Sequence, residues 1–133
     1  MLFRSFYKSE KHRTASGESD EVRLFNVLTK KNNLVYIDSG YDEATIIHAT
    51  NALEAWGYWQ ITKNKEKADF ILRFSGRTGA FFHWFGSAQF INPENNNIFK
   101  TTREVNAIWG WDFNSKRDAI NKIVNKEIKP LFY

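Results

Sequence analysis

The segment Ala68-Asp-Phe-Ile-Leu-Arg-Phe74 sets large apolar side chains at alternate positions. Phe70, Leu72 and Phe74 fall on one face of an extended chain and Ile71 on the other. That period of two is the mark of a strand with one face in a core. Ser75–Ala80 follows with two glycines and reads as a hairpin connection. Phe82–Ile91 is then the partner strand, and it ends at the turn residues Asn92-Pro-Glu-Asn-Asn-Asn97. Ile98–Trp109 reads as the returning strand, since Thr101, Thr102 and Val105 suit a sheet. An antiparallel unit of this kind needs helices to cover its apolar face.

Two helices are legible. Ile46, Ala49, Leu53 and Trp56 recur at helical spacing behind Asp42, a fitting N-cap, and before Gly57, a fitting left-handed stop. The second starts at Asn114 or Ser115, with a stripe of Ala119, Ile120, Ile123, Val124, Glu127, Ile128 and Leu131, and Pro130 closes it. Leu34–Ile37 and Tyr58–Thr62 read as strands, Lys63–Lys67 as a charged turn, and the weak alternation of Val22–Leu28 as a further short strand. The expected fold class is α+β. It is one mixed, mostly antiparallel sheet of four to five strands with two helices packed on one face, in the order β-α-β-β-β-β-α, or with one more strand in front. Residues 1–22 are expected to be a mobile polar leader and 23–133 a single α+β domain.

The densest aromatic run is Arg77-Thr-Gly-Ala-Phe-Phe-His-Trp-Phe-Gly86. Strand alternation turns Phe82, Trp84, Gly86, Ala88 and Phe90 one way and Phe81, His83, Phe85, Ser87, Gln89 and Ile91 the other. Before Gly86 both faces are apolar. A strand with helices on one side does not easily bury both. The expectation is a contact site at this end of the sheet, made of Phe81, Phe82, Trp84 and Phe85 with Trp109 and Trp111 from the returning strand. The leader residues Leu2–Tyr7 are the other means of covering the second face. A competing reading gives the same rings to single-stranded nucleic acid, with Arg73, Arg77, Lys100 and Arg103 meeting phosphates. The chain carries a net charge of +4, but the RNP1 pattern of RNA-recognition sheets does not appear.

Three stretches carry a resemblance. They are Leu53-Glu-Ala-Trp-Gly-Tyr58, Lys67-Ala-Asp-Phe-Ile-Leu72 and Gly86-Ser-Ala-Gln-Phe-Ile-Asn-Pro-Glu-Asn95. Over about residues 34–130 the chain is similar to small bacterial envelope domains of the type of the TolB amino-terminal domain and related lipoprotein modules. The resemblance implies a binding or assembly module of the cell envelope and transfers no catalytic residue.

Motifs for chemistry are weak. There is no cysteine, so thiolate catalysis, disulfides and Cys-based zinc sites are excluded. His12, His48 and His83 lack zinc-ligand spacing, no serine sits in a nucleophile elbow, and the glycines fit neither phosphate-loop nor dinucleotide spacing. Asp38, Asp42 and Glu43 read as helix-capping groups, and Asp69 as half of a surface ion pair with Lys65 or Lys67. Glu127 is expected to snorkel or to meet an arginine from the sheet. The sequence therefore points to a non-catalytic protein-interaction module with no metal or small-molecule cofactor. Its expected partner is a protein or another copy of itself, with nucleic acid the alternative. No apolar run approaches the roughly 18 residues of a membrane span. A complete chain would be cytoplasmic, and one trimmed of an export signal would be periplasmic or envelope-located.

Overall fold

The structure is a computed structural model and describes residues 19–39, 42–79, 83–107 and 115–132. Helix α1 (Asp20–Leu28) comes first. Ser19 caps it by accepting from the Val22 N–H at 3.1 Å, and Asp20 and Glu21 lie at its positive end. Val22–Leu28 is thus helical and not a strand. A short apolar run fits both periods, and the cap decides between them. The last three residues of the expected leader, 20–22, belong to this helix; residues 1–18 lie outside the described residues. Asn33 closes the helix by donating its side-chain amide to the carbonyls of Val27 and Leu28 at 3.1 and 2.9 Å.

Strand β1 (Leu34–Asp38) runs into helix α2 (Glu43–Trp56), which returns the chain to β2 (Gln60–Ile61). The expected caps of α2 form: Asp42 accepts from the Ala44 N–H, and Gly57 takes φ +72°. Strands β1 and β2 pair in parallel, an arrangement that needs a crossover such as α2. Strand β3 (Phe70–Thr78) adds in parallel on the other side of β1. Asp69 helps fix that register. Its carboxylate accepts from the Leu34 N–H at 2.9 Å, so its role is a hydrogen bond to the neighbouring strand, not the expected ion pair with the lysine turn.

Strand β4 (Trp84–Ile91) pairs antiparallel with β3 over eight residues, from Ile71–Ile91 to Thr78–Trp84. The expected returning strand is two: β5 (Ile98–Thr101) and β6 (Val105–Ala107), both antiparallel to β4. Thr102 makes the break. It leaves the ladder to bond Ala88, and the chain steps past it. The sheet order is β2-β1-β3-β4-β5, with β6 beside β4. The α+β class and mixed sheet are as expected, with six strands instead of four to five and three helices among the described residues instead of two.

Helix α3 (Ser115–Lys122) continues as a π-helical turn (Ile123–Ile128) and a 3-10 turn (Lys129–Phe132). Pro130 has no N–H to give to residue 126, so α-helical bonding cannot continue there. Ala119, Ile120, Ile123, Val124 and Ile128 are buried against α1, α2 and one face of the sheet. Phe70, Leu72, Phe74 and Phe90 form the sheet's share of that core, each contributing roughly 1.5–3 kcal/mol by burial. Trp59 joins the layers: its ring meets Phe70 edge-on at 4.9 Å, and its indole N–H donates to the Thr29 carbonyl at 2.8 Å. All three helices lie on this face. On the other, Ile71 and Ile91 face each other across β3 and β4 and are also buried. No helix among the described residues is long and apolar enough to cross a membrane.

Candidate functional site

Trp84 and Phe85 are neighbours in β4 and so occupy opposite faces of the hairpin. Each lies over glycine. On the helix side Trp84 is 4% exposed, and its indole covers the cross-strand pair Gly76 and Gly86. A Cβ added at either glycine would meet the ring at 2.2 Å, and one at Gly76 would also stand 2.4 Å from the Phe85 carbonyl oxygen. On the open side the Phe85 ring covers Gly79, where an added Cβ would lie 2.4 Å from it. The Gly79 N–H donates to the His83 carbonyl at 2.9 Å and holds this end of the hairpin together. Only glycine lets a ring approach the backbone so closely, which is the physical reason for mixing rings and glycines here.

Phe85 is the centre of a small open-face cluster. It is half-buried, with the Arg77 guanidinium 4.6 Å from its centroid and the His83 ring stacked at 5.8 Å and 23°. Such a cation–ring contact contributes about 0.5–1 kcal/mol at an exposed site. Arg77 also reaches Glu104 at 3.5 Å. Beyond Phe85 the open face turns polar. Ser75 faces Ser87, Arg73 faces Gln89, and Asp38 accepts from Arg73 Nε at 2.9 Å.

Of the residues singled out as contact rings, Trp84 belongs to the core and presents no surface, whereas Phe85 lies at the open face. Phe81, Phe82, Trp109 and Trp111 lie outside the described residues. The four basic residues do not form one groove. Arg73 and Arg77 are on the open face, while Lys100 and Arg103 line a crevice against the C-terminal turns. Each arginine also has a carboxylate: Asp38, Glu104 and, for Arg103, Glu127 at 3.2 Å. The arginine expected for Glu127 is therefore Arg103, from the turn between β5 and β6.

Two other places bear on chemistry. Asp42 caps α2 and pairs with Lys116 from α3. That hydrogen bond, helped by one from Thr45, holds the Asp42 carboxyl below the usual carboxylate range despite the opposing effect of burial. His48 is held below the ordinary imidazole value, first by burial and then by Arg117 and Lys116 nearby. A groove of about 440 Å³ lies between α2 and β2, lined by Tyr36, Ile46, Ile47 and Ile61 with Glu43 and Lys63. Among the described residues no three His, Asp or Glu side chains gather to hold a metal ion.

No protein-family model matches the sequence, and no curated protein matches it. Solved structures do resemble it. A PelC dodecamer from Paraburkholderia phytofirmans is 15% identical, over 71% of this chain and 87% of that one, with a TM-score of 0.49. TolB from Acinetobacter baumannii is 8% identical, over 73% of this chain and 29% of TolB, with a TM-score of 0.46. A minor lipoprotein from Acinetobacter baumannii is 13% identical, over 71% and 87%, with a TM-score of 0.46. The resemblance to TolB and lipoprotein modules read from the three sequence stretches therefore recurs among solved structures. It is a likeness of fold.

Proposed function

We propose that this chain is a non-catalytic protein-interaction or assembly module of the bacterial cell envelope, and that its contact surface is the open-face end of the β3–β4 hairpin. The observation that carries the reading is Phe85. It lies on the face opposite the helices and is only half covered. It is fixed over Gly79 with Arg77 and His83 on its ring. A rigid aromatic anchor beside an arginine is the composition of an interface hot spot. Trp84 supports it from behind, since its ring locks the same hairpin from the core side. The envelope setting rests on the sequence stretches at 53–58, 67–72 and 86–95. Another copy of the chain is the first partner to test. Sedimentation equilibrium over a range of concentrations is expected to show reversible self-association that Phe85→Ala weakens, with unchanged circular dichroism. A wild-type chain that stays monomeric throughout, or a variant that associates as well as wild type, would remove self-assembly through this surface.

A further inference from the structure

We propose that the crevice between the β5–β6 turn and the C-terminal helical turns binds a phosphate group. It has a volume of about 230 Å³, and its walls include Lys100, Thr101 and Arg103 on one side and Lys126, Glu127 and Leu131 on the other. At roughly 30 Å³ of liquid volume per water, that is space for about eight waters, enough for a phosphate and the first atoms of its carrier. Lys100 and Lys126 are exposed, and neither side chain has a hydrogen bond or ion pair with a described residue. Arg103 is tied differently. Its Nε donates to the largely buried Glu127 carboxylate at 3.2 Å, while its side chain as a whole is 88% exposed. The bond uses Nε and leaves the terminal amino groups aimed at solvent with no described partner. Glu127 thus acts as a holder that orients the guanidinium, and three cations stand against one carboxylate.

The wall is built, not a chance meeting of long side chains. Thr102, which precedes Arg103, is buried and pinned to Ala88 by two hydrogen bonds. The carbonyl end of α3 opposes an anion, but that is an effect of about half a charge that fades within one turn. The cations outweigh it. The guanidinium geometry matches paired phosphate oxygens, and the ammoniums add compact charge. Leu131, 37% exposed, makes the rim apolar. The phosphate has two sources, a free inorganic ion or the headgroup of an anionic lipid, whose acyl region would meet that rim. This site lies on a different surface from the Phe85 cluster and stands or falls independently of it.

The test is ¹H–¹⁵N NMR of the full chain, titrated in separate arms with inorganic phosphate and with micelles of short-chain phosphatidylglycerol. Saturable shifts at Thr101, Arg103, Lys126 and Glu127 are expected in at least one arm. Lys100→Gln and Lys126→Gln are each expected to weaken binding roughly fivefold, with amide dispersion elsewhere unchanged. Shifts with phosphate alone, insensitive to Leu131→Ser, support the site with a free ion as its ligand. Tighter binding of the lipid, weakened by Leu131→Ser, supports it with a headgroup. Absence of selective shifts in both arms overturns the proposal. So does binding that survives the double lysine variant, or shifts spread equally over Lys30, Lys31 and Lys63.

Discussion

Thr102 holds Ala88 from both sides of one residue. Its N–H donates to the Ala88 carbonyl at 2.9 Å, and its hydroxyl accepts from the Ala88 N–H at 2.9 Å. The hydroxyl also donates to the Arg103 carbonyl at 3.1 Å. One side chain therefore takes the place of a ladder residue where β5 ends and β6 begins. Thr102→Val keeps the shape and removes the acceptor, leaving the buried Ala88 N–H unpaired. The expected cost is about 1–3 kcal/mol in urea unfolding, and Thr102→Ser should recover most of it. A loss for Ser with none for Val would mean that the methyl group, not the hydroxyl, does the holding.

Gly86→Ala is expected to destabilise the protein by about 1–3 kcal/mol, although alanine ordinarily stabilises relative to glycine inside regular structure. The cause is the Trp84 ring. A double-mutant cycle isolates it: in a Trp84→Leu background the same Gly86→Ala change should cost much less, because the atoms nearest the new methyl are gone. Additive losses would show that the backbone, not the ring, requires glycine. Gly76 is predicted to respond differently, since the Phe85 carbonyl oxygen would still crowd its Cβ.

Acid should act at the joined beginnings of α2 and α3. Asp42 has its folded pKa below the ordinary 3.8, chiefly through Lys116. Its contribution is therefore present above about pH 4 and is lost as pH falls through the lower folded value. His48, held below 6.5 by burial first, gives stability that is complete above 6.5 and declines as the pH drops through its own folded value. Thermal unfolding between pH 7 and 3 should show both declines. Lys116→Met should flatten the lower and His48→Gln the upper. An unchanged upper slope in the histidine variant would assign it elsewhere.

Salt separates the interaction reading from nucleic-acid binding. Association through Phe85 is expected to persist or tighten as salt rises, because burial of apolar surface strengthens. Binding of a single-stranded oligonucleotide would instead fall steeply. Arg77→Ala should weaken self-association by only about 0.5–1 kcal/mol, the scale of an exposed cation–ring contact. Fluorescence anisotropy with a labelled oligonucleotide, beside sedimentation at two salt concentrations, checks both. Collapse of self-association in high salt would count against the apolar anchor.

Much of the fold was legible because its local signals agree. Asp42 and Gly57 bracket α2, alternation defines β3 and β4, and the facing of residues 83–91 followed from period two alone. Other elements turned on contacts between distant residues. Val22–Leu28 suits a strand or a helix equally; the cue was Ser19 followed by Asp20 and Glu21, a cap with acidic residues in the first turn. The break at Thr102 depends on Ala88, fourteen residues away, and threonine is otherwise a good strand residue. The site was half legible. Two consecutive aromatic residues must face opposite ways, but which one the helices cover depends on which face carries Phe70, Leu72 and Phe74. That matched Trp84 to the core and left Phe85 outside. Charge spacing could not reveal that Arg73, Arg77 and Arg103 each meet a carboxylate 24 to 35 residues away.

The mixed sheet has a consequence for the order in which the molecule assembles. Strands β3 and β4 meet across a short connection, so Thr78 finds Trp84 with little loss of chain entropy. Strand β1 must instead wait for Leu72 to arrive from 35 residues away, with α2 and β2 in between. Contacts of long sequence separation are the slow ones. The hairpin with its rings over glycine is therefore expected to be the early nucleus, and the parallel half to close upon it. Refolding rates should report this directly: Trp84→Leu should slow folding, whereas Val35→Ala should mainly speed unfolding.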